Sequence, residues 1–484
     1  MKAPLLIALL ACAVTAAMPA AGRDLSPCFL KGIAREVQCG VIDRPENPDA
    51  ADGRRIPIHF AVIPALAKTR AGDPLFVFAG GPGQSAMNAA ALIEPVFAQL
   101  NARRDIVYVD QRGTGKSNRL ACELPPPTAP LAAQLDTAAS TQRLQRCLRR
   151  IASENRADLR QYATWIAVRD IDAVRAALGY DRINLWGGSY GTRMALEYLR
   201  QFPRHVRSVV LDGVAPPDMR LPTSLSIDAD AMLSRLTERC ETDPACRAKY
   251  PDFSARLGQL LASTDRAALK VELDHPLTGA RETVAIDQPL IAAALRAPLY
   301  APVLSAVLPH AVATATHGEF GPLLTLAGAL TGSLADDFAE AMHYAVICAE
   351  DMPRIDGASR AAALRTRFGL SFVKVYDDVC PLVAVRPVPA DFYAIPPADA
   401  PVLILSGGSD PATPPRHGDA VAKRLKNSLH LVAPNLGHGV SSHGCAPDLI
   451  TRFVRQAGFA GIDGACLAGL PAPTFFAMPR AEEP

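Results

Sequence analysis

An excess of charge of either sign is missing from this chain. Its 484 residues carry a formal net charge of +2, and no basic run is interleaved with aromatics. A surface built to bind nucleic acid is therefore excluded, since such binding rests on concentrated positive charge. Cysteine spacing of the C-x-x-C or zinc type is also missing, so no metal is expected. No internal repeat is present. The apolar run near the N-terminus, Leu5 to Ala17, is too short to span a bilayer as a stable helix, and no transmembrane segment is expected. That run instead follows Lys2 and precedes Pro19-Ala20-Ala21-Gly22, the order of a secretory signal, so residues 1–22 are expected to direct export to the periplasm or medium. Leu9-Leu10-Ala11-Cys12 loosely matches a lipoprotein box, with Leu where a smaller residue is usual; anchoring through Cys12 is the minor alternative.

What is present is ample apolar material. Hydrophobic residues make up 49% of the chain, enough for one large domain with an insertion or for two domains. Removing Cys12 with the signal leaves ten of the eleven cysteines. An even number in an oxidising compartment predicts five disulfides. Connectivity is not fixed by sequence, but the cysteines fall in neighbouring couples, and sequential pairing is expected: Cys28/Cys39, Cys122/Cys147, Cys240/Cys246, Cys348/Cys380 and Cys445/Cys466.

Short continuous apolar runs read as strands buried on both faces: Leu75 to Ala79, Ile106 to Val109, Ile183 to Trp186, Val206 to Leu211, Val402 to Leu405 and Leu429 to Val432. Most end in loops rich in glycine or aspartate, where functional groups collect in parallel sheets. Between the fourth and fifth runs lies a long stretch bracketed by prolines, Pro216, Pro217 and Pro222 on entry and Pro387 to Pro401 on exit. Helical patterns dominate inside it, as in Ala231 to Arg239 and Leu334 to Ala349. The expected organisation is a signal (1–22), a parallel α/β core in two parts (23–214 and 400–484) and a mainly helical cap (215–399) inserted between core strands.

Gly187-Gly188-Ser189-Tyr190-Gly191 follows the third run directly. Behind it, Met194, Tyr198, Leu199 and Phe202 recur at helical spacing until Pro203; ahead of it, Val168, Ile171, Val174 and Leu178 mark another helix that Gly179 can cap. A serine between glycines at a strand exit and helix entry is the nucleophile-elbow pattern, with the helix N-terminus beneath the nucleophile. A serine hydroxyl needs a histidine to take its proton and a carboxylate to orient that histidine. Both follow in the order serine, acid, histidine used by α/β-hydrolases. Asp410 stands in Ser406-Gly407-Gly408-Ser409-Asp410-Pro411, with Asp212 as the rival acid. His438 stands in Gly437-His438-Gly439, with His443 as the rival base.

Ala79-Gly80-Gly81-Pro82-Gly83 closes the first run, and the backbone N–H groups of Gly81 and Tyr190 are the candidate oxyanion donors. Gly81-x-Gly83-x-x-Ala86 also matches a loose dinucleotide fingerprint with Asp110 on the next strand, a minor alternative that leaves the Ser/Asp/His order unexplained. Gly113-Thr114-Gly115-Lys116-Ser117 lacks the first glycine of a P-loop, which Asp110 replaces.

Gly80-Gly81-Pro82-Gly83, Asp110 to Ser117, Gly187 to Gly191 and Gly437-His438-Gly439 together resemble the proline iminopeptidase and tripeptidyl aminopeptidase family of α/β-hydrolases. The match covers most of the chain outside the signal and much of the cap. Ala79 departs from the histidine usual in the proline iminopeptidase branch, and the long cap and cysteines look more like the secreted tripeptidyl branch. The resemblance implies a cofactor-free serine exopeptidase acting on peptides with a free N-terminus, with Ser189, Asp410 and His438 as its triad. An aminopeptidase must hold an α-ammonium, which calls for carboxylates in the cap facing the elbow. Glu350 and Asp351 are the expected pair, because two acids at a helix C-terminus oppose the helix dipole and suit a bound cation. The same triad in an exported esterase or lipase is the alternative.

Overall fold

A computed structural model describes residues 25–50, 52–154, 156–264, 267–331, 338–395 and 397–477. The signal and Cys12 therefore lie outside the described residues. Nine strands form one sheet: β1 (Ser26–Cys28), β2 (Val37–Pro45), β3 (Arg55–Ile63), β4 (Leu75–Phe78), β5 (Ile106–Val109), β6 (Ile183–Gly188), β7 (Val206–Asp212), β10 (Val402–Gly407) and β11 (Ser428–Ala433), in the spatial order β1-β2-β3-β5-β4-β6-β7-β10-β11. The six apolar runs are the six strands β4 to β7, β10 and β11, all parallel. β1, β2 and β3 extend that sheet antiparallel beyond β5. Their alternating patterns, as in Ile56, Ile58 and Phe60, carry a weaker signal than the doubly buried strands.

Alternation within the buried strands explains why both faces are covered. On β4, Phe76 and Phe78 enter the apolar cluster with the helix Thr164–Ala177 and the elbow helix Tyr190–Gln201. Leu75 and Val77 enter the opposite cluster with the helices Ala86–Ile93 and Ala446–Gln456. The fold is an α/β-hydrolase fold, a mostly parallel sheet flanked by helices.

The segment between β7 and β10 is mainly helical and has its own apolar core, in which Leu233, Phe253 and Leu295 are buried. It also contains a hairpin that helical patterning did not predict, β8 (Leu269–Asp274) paired antiparallel with β9 (Arg281–Ile286). Leu269, Val271 and Leu273 alternate with polar residues, and that period of two suits a half-covered strand. The helix expected over Leu334 to Ala349 is described as Glu340–Glu350, residues 332–337 lying outside the described residues. This helix packs into the cluster of the main sheet rather than the insertion's own core. All five disulfides pair sequentially, as expected, and Cys348–Cys380 ties this helix to the segment that follows it.

Candidate active site

Ser189 sits between β6 and the elbow helix with φ 55° and ψ −124°, a left-handed conformation unusual for serine. Such a residue costs on the order of 1–3 kcal/mol and persists only where its surroundings hold it. Here its N–H donates to the Asp212 carbonyl at 2.8 Å. A Cβ on Gly187 would collide with the Gly191 carbonyl, and one on Gly191 with the Phe78 carbonyl, so the glycines are needed for strand and helix to approach this closely.

Asp410 and His438 emerge from the ends of neighbouring strands β10 and β11. His438 Nδ1 donates to Asp410 Oδ2 at 2.8 Å, so Nε2 is the nitrogen left to act as a base. The carboxylate also accepts from the N–H groups of Ala412 and Thr413, at 2.7 and 2.9 Å, and from the Thr413 hydroxyl at 2.7 Å. Burial pushes the Asp410 carboxyl up, but the charge and hydrogen bond of His438 and the bonds from Thr413 outweigh it and hold it below its ordinary value. For His438 burial pushes down, while Asp410, and secondarily Asp212, hold the imidazole above its ordinary value. Thr413 is a residue that sequence reading missed.

The rivals fall into other places. Asp212 accepts from the N–H of Val440 at 2.8 Å and of Ser441 at 2.8 Å, fixing the backbone of the histidine loop instead of the ring. His443 is exposed. Asp110, which the dinucleotide alternative would place on a ribose, is buried and accepts from the Ser85 hydroxyl at 2.6 Å and the Met87 N–H at 3.1 Å, anchoring the start of the helix after the glycine loop.

Ser189, His438, Gly81 and Tyr190 line one cavity of about 730 Å³. Among the described residues, no protein group accepts from the backbone N–H of Gly81 or Tyr190. The loop carrying Gly81 is braced by His343, also missed in the sequence. Its Nδ1 lies 2.9 Å from the Pro82 carbonyl, which can only accept, so Nε2 accepts from the Tyr376 hydroxyl at 2.8 Å. Burial lowers this imidazole to about 4, consistent with a neutral ring.

Glu350 and Asp351 do not face the cavity as expected. Both are fully buried, and Arg193 of the elbow helix binds Asp351 at 2.8 Å and Glu350 at 3.2 Å. Glu350 also accepts from the N–H of Thr164 at 2.6 Å and from its hydroxyl at 3.0 Å. The cost of two acids at a helix end is met by an internal cation instead of a ligand. The carboxylate that does line the cavity is Glu340, at the opposite end of the same helix. Burial raises its carboxyl above the ordinary value, partly offset by the Cys122 N–H, which donates to Oε2 at 3.0 Å.

A strained serine, a histidine oriented by a buried carboxylate and two unclaimed N–H groups around one cavity form the arrangement of a serine hydrolase. The sequence matches two family descriptions, the alpha/beta hydrolase fold over residues 73–245 and the TAP-like protein over residues 369–466. Serine protease Hip1 of Mycobacterium tuberculosis is 25% identical over 461 residues, covering 86% of this chain and 84% of that protein. Tripeptidyl aminopeptidase of Streptomyces lividans is 31% identical over 218 residues, 42% of this chain and 41% of the relative. Carboxylesterase B of Mycobacterium tuberculosis is 30% identical over 426 residues, 81% of this chain and 78% of the relative. This chain belongs to the α/β-hydrolase family, and its C-terminal part matches the TAP-like description within it.

Proposed function

We propose that this protein is an exported serine exopeptidase that releases residues from the free N-termini of peptides, without a cofactor. Ser189 is its nucleophile, His438 its general base and acid, Asp410 the orienting carboxylate, and the Gly81 and Tyr190 N–H groups its oxyanion donors. His438 takes the Ser189 proton as the hydroxyl attacks the scissile carbonyl, and the oxyanion forms against the two N–H groups. The imidazolium then protonates the leaving amine, and water, deprotonated by His438, hydrolyses the acyl-enzyme. Five disulfides suit export to an oxidising compartment. The 215–399 insertion serves as the cap over this site.

The observation that carries the exopeptidase reading is Glu340. It is a partly buried carboxylate in the same cavity as Ser189, and the neighbouring Ala339 N–H donates to the Gly83 carbonyl of the oxyanion loop at 3.0 Å. An α-ammonium held there lies on the acyl side of the scissile bond. The relative named carboxylesterase B and the largely apolar cavity wall support a second reading, an esterase using the same triad.

Anilides of proline, alanine and a tripeptide, their N-acylated versions and a butyrate ester separate the two. Cleavage restricted to free-N-terminal anilides, lost by a factor of about 10⁴ or more in Ser189→Ala, is the expected result. Ester turnover with no anilide cleavage would replace the peptidase reading with the esterase one.

A further inference from the structure

The cavity holds a second charge, opposite in sign to Glu340. Arg296 is the last residue of the helix Gln288–Arg296 and lines the same wall. Among the described residues the four buried arginines, Arg104, Arg112, Arg175 and Arg193, each bind a carboxylate. Arg296 does not: among the described residues no Asp or Glu pairs with it, and its Nε is buried without an acceptor. Its guanidinium is held in place by aromatic faces, 5.0 Å from the Tyr300 ring centre and 5.2 Å from that of Phe372, and it donates to the Tyr300 hydroxyl. A guanidinium fixed at a cavity wall with donors to spare is suited to a carboxylate.

Its place relative to the triad says which part of the substrate it meets. The Tyr300 ring stands edge-on to His438, 5.1 Å between centres at 77°, and the Tyr300 carbonyl accepts from the His438 N–H at 2.9 Å. Arg296 is thus one ring away from the imidazole that protonates the leaving group, whereas Glu340 directly follows Ala339, whose N–H donates to the Gly83 carbonyl of the oxyanion loop. We propose that Arg296 binds a carboxylate on the leaving-group side of the scissile bond, so that the cavity takes substrates carrying an anion just beyond the cut. The inference rests on the hydrolase reading of the site. The anion is either the free α-carboxylate of a short peptide or the acidic side chain of the first residue released.

Three peptides identical up to the scissile bond distinguish these sources, one ending in alanine amide, one in alanine with a free carboxylate and one in aspartic acid α-amide. Butyrate esters of glycolate and glycolamide repeat the comparison without a peptide bond. The expected result is a kcat/KM about 10- to 100-fold higher for a carboxylate-bearing member than for its neutral partner. Arg296→Met should collapse that ratio towards 1, and Arg296→Lys should restore part of it. Preference for the free carboxylate assigns Arg296 to short peptides; preference for the aspartyl amide assigns it to an acidic side chain. Cleavage of the esters alone would overturn the exopeptidase reading while still reading out the carboxylate preference. Equal turnover of charged and neutral members by the unaltered protein, in whichever series is hydrolysed, would overturn the role of Arg296 even if neither variant folds.

Discussion

The helix Glu340–Glu350 carries acids at both ends, and the two ends do opposite things. At its N-terminus Glu340 is partly buried, opposes no helix dipole and opens onto the cavity. At its C-terminus Glu350 and Asp351 are sealed from solvent and neutralised by Arg193, which stands one turn beyond Ser189. A carboxylate aimed at a cavity is available to a ligand, whereas one buried against an arginine is a fastening between the inserted segment and the elbow helix. The difference lies in what each end packs against, not in the acids themselves.

The strongest way to break the comparison is Arg193→Met. It leaves two carboxylates buried without a cation, and the expected loss of stability is about 3–5 kcal/mol, read from denaturant midpoints. A loss below about 1 kcal/mol would mean that the C-terminal acids do not depend on Arg193 and are not a fastening.

Glu340→Gln is the matching change at the other end. It should leave the denaturation midpoint nearly unaltered but lower kcat/KM for free-N-terminal anilides by about 10- to 100-fold, sparing their N-acylated counterparts. Equal loss on both sets would remove Glu340 from amine binding.

The smallest expected effect is one of pH. Burial, against the opposing pull of Arg193 and the bonds from Thr164, raises Glu350 from its ordinary 4.5 to about 7. The unfolded chain therefore releases this proton at lower pH than the folded protein does. The stability linked to Glu350 is complete below 4.5 and declines as pH rises to about 7. Thermal midpoints of Glu350→Gln should fall less across that window than those of the unaltered protein. Parallel curves would show that Glu350 is ionised throughout and bound to Arg193 as a full ion pair.

This helix also marks where sequence reading stops. The six doubly buried strands were legible because continuous apolar runs have few other homes, and the elbow was legible because glycine is forced there sterically. The order of serine, acid and histidine pointed to Asp410 over Asp212, and the structure shows the physical difference. Asp410 meets an imidazole, while Asp212 meets two amide N–H groups. Glu350-Asp351 was visible as an anomaly at a helix end, but the compensating cation lies 157 residues away along the chain from Glu350, beyond any local pattern. Thr413, His343 and Arg296 had no signature at all, since a lone threonine, histidine or arginine gains meaning only from the groups folding brings beside it. The β8–β9 hairpin was missed because helical segments surround its short alternating run.

The carbonyl of Tyr300 occupies the space a side chain at position 437 would need and accepts from the N–H of His438. The position of the insertion at Tyr300 and the position of the His438 loop are therefore one mechanical property. Moving the insertion away at Tyr300 would break the bond that holds the histidine loop. A version of this protein with the insertion trimmed away would lose a brace on the loop that carries His438.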